Sequence, residues 1–351
     1  MIHTPPLPNP LPQGERENHT ASPRILIIRR DNIGDLVCTT PLIRALRARL
    51  PAAWIGAMVN SYNAPVLNGN HDLDDVFVYT KAKHRAVGER LTGIFWRRWR
   101  MMRALRAMQI DDVIIATTSP QPRVVTLARW LKPKRVIAFG ACGADSELPL
   151  ADHPVHEVED VFRVAALYDI QRAPPACVVV PPDGRRDHNT IAIHISARKP
   201  SQRWATENFV ALMRTLHAHD AGLRFVLLWS PGANDDPRHP GDDAKAALIH
   251  SALGANFPVV ATETATLPAL ISALSGCSTM ICADGGAMHL AAGLGVPVVA
   301  LFGESSVSRW RPWAVPQRVL QAPSQSVSDI SVAEVSAAFN ALTVDIQAPT
   351  V

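Results

Sequence analysis

The sequence has no run of 18 apolar residues, so it predicts no membrane-spanning helix. It has no C-x-x-C pair. Its five cysteines (Cys38, Cys142, Cys177, Cys277, Cys282) are odd in number and widely scattered, which argues against a zinc site. Buried, reduced thiols are expected, as in a reducing compartment. The amino terminus lacks the basic stretch and apolar segment of a secretion signal, and a cytoplasmic protein is expected. No G-x-G-x-x-G is present, so an NAD dehydrogenase is poorly supported. Charge of one sign is scarce too: 35 Lys+Arg against 31 Asp+Glu leaves +4. That excess is too weak to argue for nucleic acid, but it suits a partner carrying phosphate or carboxylate.

What is present is an ordinary globular mixture, 47% hydrophobic and 19% charged in 351 residues, enough for a sizeable core and most simply two domains. Residues 1–23 are rich in proline and polar residues, and a disordered extension is expected. From Arg24 onward, short apolar runs alternate with helical segments. Ile25–Ile28 is a continuous apolar run and reads as a strand buried on both faces, and Ile55–Val59, Val76–Tyr79, Val113–Ala116 and Arg135–Ala138 read as further strands. Helices are expected over Leu36–Leu50 (or from Thr39-Thr40, because of Pro41), Glu89–Met108, Val124–Leu131 and Val158–Leu167. Turn-rich residues 173–184 form the expected linker between domains 24–172 and 185–322. The alternation then restarts. Strands are expected at Ile191–His194, Phe225–Leu228, Pro258–Val260, Thr279–Cys282 and Pro297–Leu301, separated by helices. Residues 323–351 form a last helix and tail. The fold class is α/β: two doubly wound parallel sheets facing across a cleft, with ligands at the carboxyl ends of the strands.

Four segments sit where chemistry is expected. Arg29-Arg30-Asp31-Asn32-Ile33-Gly34-Asp35 follows the first strand. Gly34 permits a tight turn or a close approach, and Asp35 is either a general base or a helix cap. Arg29 and Arg30 either bind phosphate or carboxylate groups of an acceptor or brace the fold. Asp284-Gly285-Gly286 through His289 follows a buried strand and opens a helix, which favours a phosphate. Asp284 there either accepts ribose hydroxyls or caps the helix, and His289 is either a ligand contact or a packing residue. Ser196, Arg198, Lys199 and Arg203 lie in one loop whose three cations can neutralise a diphosphate. Phe302-Gly303-Glu304-Ser305-Ser306, followed by Arg309-Trp310-Arg311-Pro312-Trp313, forms a fourth loop on the same rim. Asp74-Asp75 and Asp111-Asp112 precede strands, at the opposite rim, and are expected to be solvated turn residues. His153, His156, Glu157 and Glu159 read as a polar helix start rather than metal ligands. Residues Ile94–Arg103 (IFWRRWRMMR) are apolar and strongly basic, and suit either a packed helix or an anionic membrane surface.

These motifs resemble the lipopolysaccharide heptosyltransferases, glycosyltransferase family 9. Ile33-Gly34-Asp35 with Thr39-Thr40-Pro41 is similar to the family's amino-terminal signature. Arg203-Trp204 with Phe209 is similar to its middle motif, and Asp284 through Gly303 to its longest one. The resemblance implies a GT-B fold and an inverting, metal-independent transfer from ADP-L-glycero-D-manno-heptose to a lipid-linked lipopolysaccharide core, with no cofactor, at the inner face of the cytoplasmic membrane. It implies Asp35 as base and Asp284, Gly285, Gly286 and His289 as the donor loop. The chain departs from the family at Gln202 (often Lys), Gly285 (commonly Ser or Thr) and Glu304 (usually Pro). A relative using another nucleotide sugar or acceptor, and a sugar-nucleotide binder without transfer, remain the alternatives.

Overall fold

A computed structural model describes residues 22–79, 91–182, 186–235 and 241–347. Most of the expected amino-terminal extension and the expected start of the Glu89–Met108 helix lie outside the described residues.

Twelve strands are described, and they form two six-stranded sheets in which every pairing is parallel. The amino-terminal sheet contains β1 (Arg24–Arg29), β2 (Trp54–Asn60), β3 (Asp75–Tyr79), β4 (Asp112–Ile115), β5 (Arg135–Phe139) and β6 (Ser146–Leu148), in the order β3-β2-β1-β4-β5-β6. The carboxyl-terminal sheet contains β7 (Asp187–His194), β8 (Arg224–Trp229), β9 (Val259–Glu263), β10 (Cys277–Ala283), β11 (Val298–Phe302) and β12 (Gln317–Gln321), in the order β12-β11-β10-β7-β8-β9. Counted from each domain's first strand, the two orders are the same. Each sheet reverses direction once, between β1 and β4 and between β7 and β10. Crevices open beyond the strand ends at these switch points.

The continuous apolar strands are explained by helices on both faces. One face of the first sheet packs on α3 (Leu91–Ala107) and α4 (Pro122–Trp130), through residues such as Met102, Leu105 and Val125. The outer face of the second sheet packs on α6 (Thr206–His219), α7 (Asp243–Leu253) and α11 (Val332–Gln347). Between the sheets a single apolar cluster runs from one domain into the other. It joins Val37 and Cys38 to Val179, Met288 and Leu290. The domains therefore share a core at their junction. The turn-rich stretch between them is part of it: Val179 N–H donates to Gly293 O at 2.8 Å.

The segment expected as one helix from Leu36 to Leu50 divides into α1 (Ile33–Val37) and α2 (Thr40–Arg49). Pro41 lies in the first turn of α2, where its missing N–H costs nothing, and it cannot continue a helix from before. The edge strands β6 and β12 were not expected from the sequence. Both are short and only partly covered, so they carry no apolar run. The acidic pairs ahead of β3 and β4 do sit at the rim opposite the cleft, but they are not simply solvated. Asp112 is 8% exposed, accepts two bonds from Arg135 and a third from the Tyr168 hydroxyl. Asp74 accepts from Ile55 N–H and Arg47. All five cysteines are thiols, four of them buried.

Candidate active site

The loop after β1 carries a buried charge cluster. Arg29 is 2% exposed. Its Nη2 meets Asp35 Oδ1 at 2.6 Å and Glu157 Oε1 at 2.7 Å, and its Nε lies 3.2 Å from Asp31. Its Nη1 donates to Ala116 O. Burial alone would lower the pKa of this guanidinium, but Glu157, Asp35 and Asp31 outweigh it and raise it. Of the two roles expected of Arg29, its side chain makes the bracing contacts, with three carboxylates and a backbone carbonyl around it.

Asp35 combines its two expected roles. Its Oδ2 accepts the Asn32 N–H at 3.0 Å, capping α1. Its side chain is still 13% exposed, and its charge is felt by Tyr62 and by His289 of the other domain. A carboxylate held by one guanidinium and one backbone amide has a fixed direction and an accessible oxygen. Arg30, by contrast, remains at the surface of a cavity of about 290 Å³ at the strand ends, lined also by Asp31, Tyr79, Thr117 and Gln121. Its guanidinium lies 4.5 Å from the centre of the Tyr79 ring, and Arg98 of α3 lies 4.1 Å from the same ring.

In the second domain the loops after β7 and β10 come together. Gln202 is 6% exposed. Its amide donates to Asp284 Oδ2 at 3.0 Å and to Ser305 Oγ at 3.2 Å, so three of the sequence candidates' segments converge on one side chain. A Cβ added at Gly285 would meet nothing within 4 Å, so the rim at the start of α9 (Gly286–Gly293) is open. Arg198 and Lys199 are exposed beside it, while Arg203 is half-buried and donates to Ala197 O at 3.3 Å. The Ser196 hydroxyl oxygen accepts the Ser230 N–H at 2.9 Å, which ties the loop after β7 to the end of β8. Lys245, unremarked in the sequence, reaches under this loop from α7 and donates to Trp204 O at 2.8 Å and Ile195 O at 3.3 Å. Burial lowers its pKa.

The two loops touch. A Cβ at Gly34 would lie 2.5 Å from His289 Cδ2, and one at Gly286 would lie 3.1 Å from Ile33 Cβ. The close approach expected at Gly34, which the sequence also offered as an acceptor-binding residue, is made by the opposite domain. His289 is 4% exposed, with Nδ1 3.7 Å from Cys38 Sγ and its ring edge-on to Trp310 at 5.9 Å. Its side chain thus packs between the domains, at the first turn of the donor-loop helix. Burial would lower its pKa, but Cys38, Asp284 and Asp35 raise it.

Arg309, in the short helix α10 (Val307–Trp310) after β11, crosses the cleft to Glu157 Oε2 at 2.5 Å. Glu157 is 1% exposed, and burial raises its pKa against the pull of Arg29 and Arg309. His156, expected at a polar helix start, accepts the Val158 N–H at Nδ1 (3.1 Å), so its Nε2–H donates to Arg311 O (2.8 Å). These side chains cap and cross-link; they do not converge as metal ligands. Glu157 and Arg309 both stood in segments noted in the sequence, but nothing in their spacing pairs residues 152 positions apart.

Two Rossmann-type sheets, with a held carboxylate on one facing rim and an open, cationic helix start on the other, define a GT-B glycosyltransferase. The sequence profile of glycosyltransferase family 9 (heptosyltransferase) matches residues 98–334, and the chain belongs to that family. It is 26% identical over 304 residues to lipopolysaccharide heptosyltransferase 3 of Escherichia coli, covering 80% of this chain and 84% of that one. Among solved structures, a family 9 glycosyltransferase from Veillonella parvula DSM 2008 superposes with a TM-score of 0.77 at 18% identity, covering 92% and 97% of the two chains. The ADP-heptose lipopolysaccharide heptosyltransferase II of E. coli superposes with a TM-score of 0.73 at 21% identity, covering 93% and 100%.

Proposed function

We propose that this glycosyltransferase moves heptose from ADP-L-glycero-D-manno-heptose to the lipopolysaccharide core, with inversion at the anomeric carbon and without a metal ion. The observation that carries the reading is the placement of Asp35 and of the Asp284–Gly286 loop on touching rims of opposite domains.

Inversion needs one in-line displacement. Asp35 takes the proton of the attacking acceptor hydroxyl as that oxygen bonds to the anomeric carbon and the bond to the diphosphate breaks. A positioned base of this kind contributes about 10²–10⁴-fold. The departing ADP gathers negative charge. Arg198, Lys199, Arg203 and the N–H groups opening α9 supply fixed positive charge for it, which is the work a metal would otherwise do. Asp284, steadied by Gln202, accepts hydrogen bonds from the donor. Arg30, beside the cavity under Tyr79, faces the acceptor side, where it meets phosphate or carboxylate groups.

The acceptor is lipid-linked, and α3 suits a surface that holds it. Among the described residues no helix is long and apolar enough to cross a membrane. On α3, however, Phe95 (66%), Trp96 (60%) and Trp99 are exposed, while Ile94, Met102 and Leu105 are buried. The helix carries five arginines and no acid. Aromatics at the interface and arginines at the headgroups fit an anionic bilayer face.

Asp35→Asn tests the core of this reading. The variant keeps the wild-type circular dichroism spectrum and loses transfer by about 10²–10⁴-fold, read by mass spectrometry of the product. Wild-type turnover in Asp35→Asn removes the base assignment. Product configuration by NMR tests inversion, undiminished turnover in excess chelator tests metal independence, and a donor panel tests the sugar nucleotide. Co-sedimentation with phosphatidylglycerol vesicles, weakened in Trp96→Ala/Trp99→Ala, tests the membrane face.

A further inference from the structure

We propose that Glu157 and Arg309 are positioning residues that make the alignment of Asp35 depend on the seating of the carboxyl-terminal domain. The proposal rests on the assignment of Asp35 as base.

One guanidinium, Arg29, serves three carboxylates: Asp31 at 3.2 Å, Asp35 at 2.6 Å and Glu157 at 2.7 Å. Its single Nη2 is shared between Asp35 and Glu157. A buried carboxylate left without compensation is costly, so the balance of this cluster depends on what else reaches Glu157. Within the amino-terminal domain, that is the Thr118 hydroxyl, 3.2 Å from Oε2. The second cation is Arg309, whose Nη2 lies 2.5 Å from the same oxygen and whose Nη1 lies 3.9 Å from Asp160. Arg309 belongs to the other domain. It also donates to Thr118 Oγ1 at 2.8 Å.

The physical consequence follows from that sharing. With Arg309 seated, Glu157 has a cation on each oxygen, and Arg29 is left to hold Asp35. Without Arg309, Arg29 is the one remaining guanidinium on Glu157, and the attraction of the buried Glu157 draws Nη2 away from Asp35. The groups that act on Asp35 are Arg29 on β1, Asp31 in the same loop, Tyr62 after β2, Glu157 on α5 (Glu157–Phe162) and His289 on α9, with Arg309 reaching it through Glu157. Removing Arg309 takes one positive charge from this set, and neutralising Glu157 takes one negative charge.

The test compares Arg309→Met, Arg309→Lys and Glu157→Gln with the wild-type enzyme in kcat and KM, alongside ADP titration calorimetry. ADP affinity stays within about twofold in all three, because the side chains of both residues are bonded to the amino-terminal domain. Arg309→Met lowers kcat by about 10–100-fold with donor KM unchanged, as a small misplacement of a reacting group does. Glu157→Gln also lowers kcat. Arg309→Lys restores most of kcat. Unchanged kcat in Arg309→Met overturns the proposal, as does a loss of kcat that comes with an equal loss of ADP affinity or that Arg309→Lys does not restore. Arg309 is 29% exposed, so Arg309→Met decides the matter by itself should Glu157→Gln not fold. If Asp35→Asn is inactive while Arg309→Met matches wild type, only this proposal fails. If Asp35→Asn is fully active, the reading beneath it fails.

Discussion

The two domains have the same strand order and opposite switch-point chemistry. In the amino-terminal sheet the crevice between β1 and β4 is filled on the side that meets the other domain: Arg29, Asp35 and Glu157 interlock there, and Gly34 lies against the ring of His289, while the cavity beside Arg30 stays open. In the carboxyl-terminal sheet the crevice between β7 and β10 is left open at Gly285, with exposed Arg198 and Lys199 at its edge and the Gln202–Asp284 bond at its base. One topology thus provides a rigid mount for a small reactive group and a vacant cradle for a large anionic ligand. Topology decides only that loops converge at these points; the side chains decide whether the space is filled by protein or left for substrate.

Acidification strains both halves and separates their contributions. Burial pushes His156 in the first domain and His194 in the second down to about 4. In the unfolded chain these groups take up protons near pH 6.5, before the folded protein does. Their contribution is therefore complete above pH 6.5 and is lost as pH falls towards 4. Each costs on the order of 1 kcal/mol per pH unit in that window. Urea unfolding at pH 7, 6 and 5 is expected to show this decline. Trp313 lies 4.6 Å from the His156 ring, so its emission, taken as the difference between wild type and Trp313→Phe, reports the domain junction. A flat stability between pH 7 and 5 breaks the expectation.

Gln202→Ala probes the open crevice alone. It removes the amide that holds Asp284, and a hydrogen bond to a charged group is worth about 1.5–3 kcal/mol. Donor KM and the ADP dissociation constant are expected to rise about 10–100-fold, with kcat nearly unchanged. An unchanged ADP isotherm denies the second switch point its ligand. Glycine substitutions give the smallest effects and the sharpest contrast. Gly34→Ala places a methyl 2.5 Å from the His289 ring and is expected to cost about 1–3 kcal/mol in thermal unfolding. Gly285→Ser, whose Cβ meets nothing within 4 Å, is expected to stay within about 0.5 kcal/mol of wild type. Equal losses at the two glycines erase the distinction between a filled and an open crevice.

Ten of the twelve described strands are legible in the sequence because each carries a short apolar run, even the edge strands β3 and β9, which are mostly exposed. The two that are not, β6 and β12, are edges without a run long enough to stand out. Asp35, Asp284 and the glycines are legible because loops at strand ends carry chemistry in a doubly wound sheet. The destinations of Arg29, Ser196 and His289 are not. Their partners Glu157, Ser230 and Cys38 come from distant segments, and only packing brings them together. Gln202 is the clearest case. The chain departs from the family there, yet in the fold its amide joins Asp284 to Ser305.

The sequence by itself determined the alternation of strands and helices, hence two doubly wound sheets, because burial on both faces leaves a local imprint on the interior strands. It also determined which loops carry acids, cations and glycines. The tertiary structure alone decided which of those side chains remain available to a substrate. Charge compensation in a buried site depends on partners distant in the chain: Glu157 is 128 residues from Arg29 and 152 from Arg309. No local pattern encodes such a distance, and the low dielectric of the junction gives these pairings their weight.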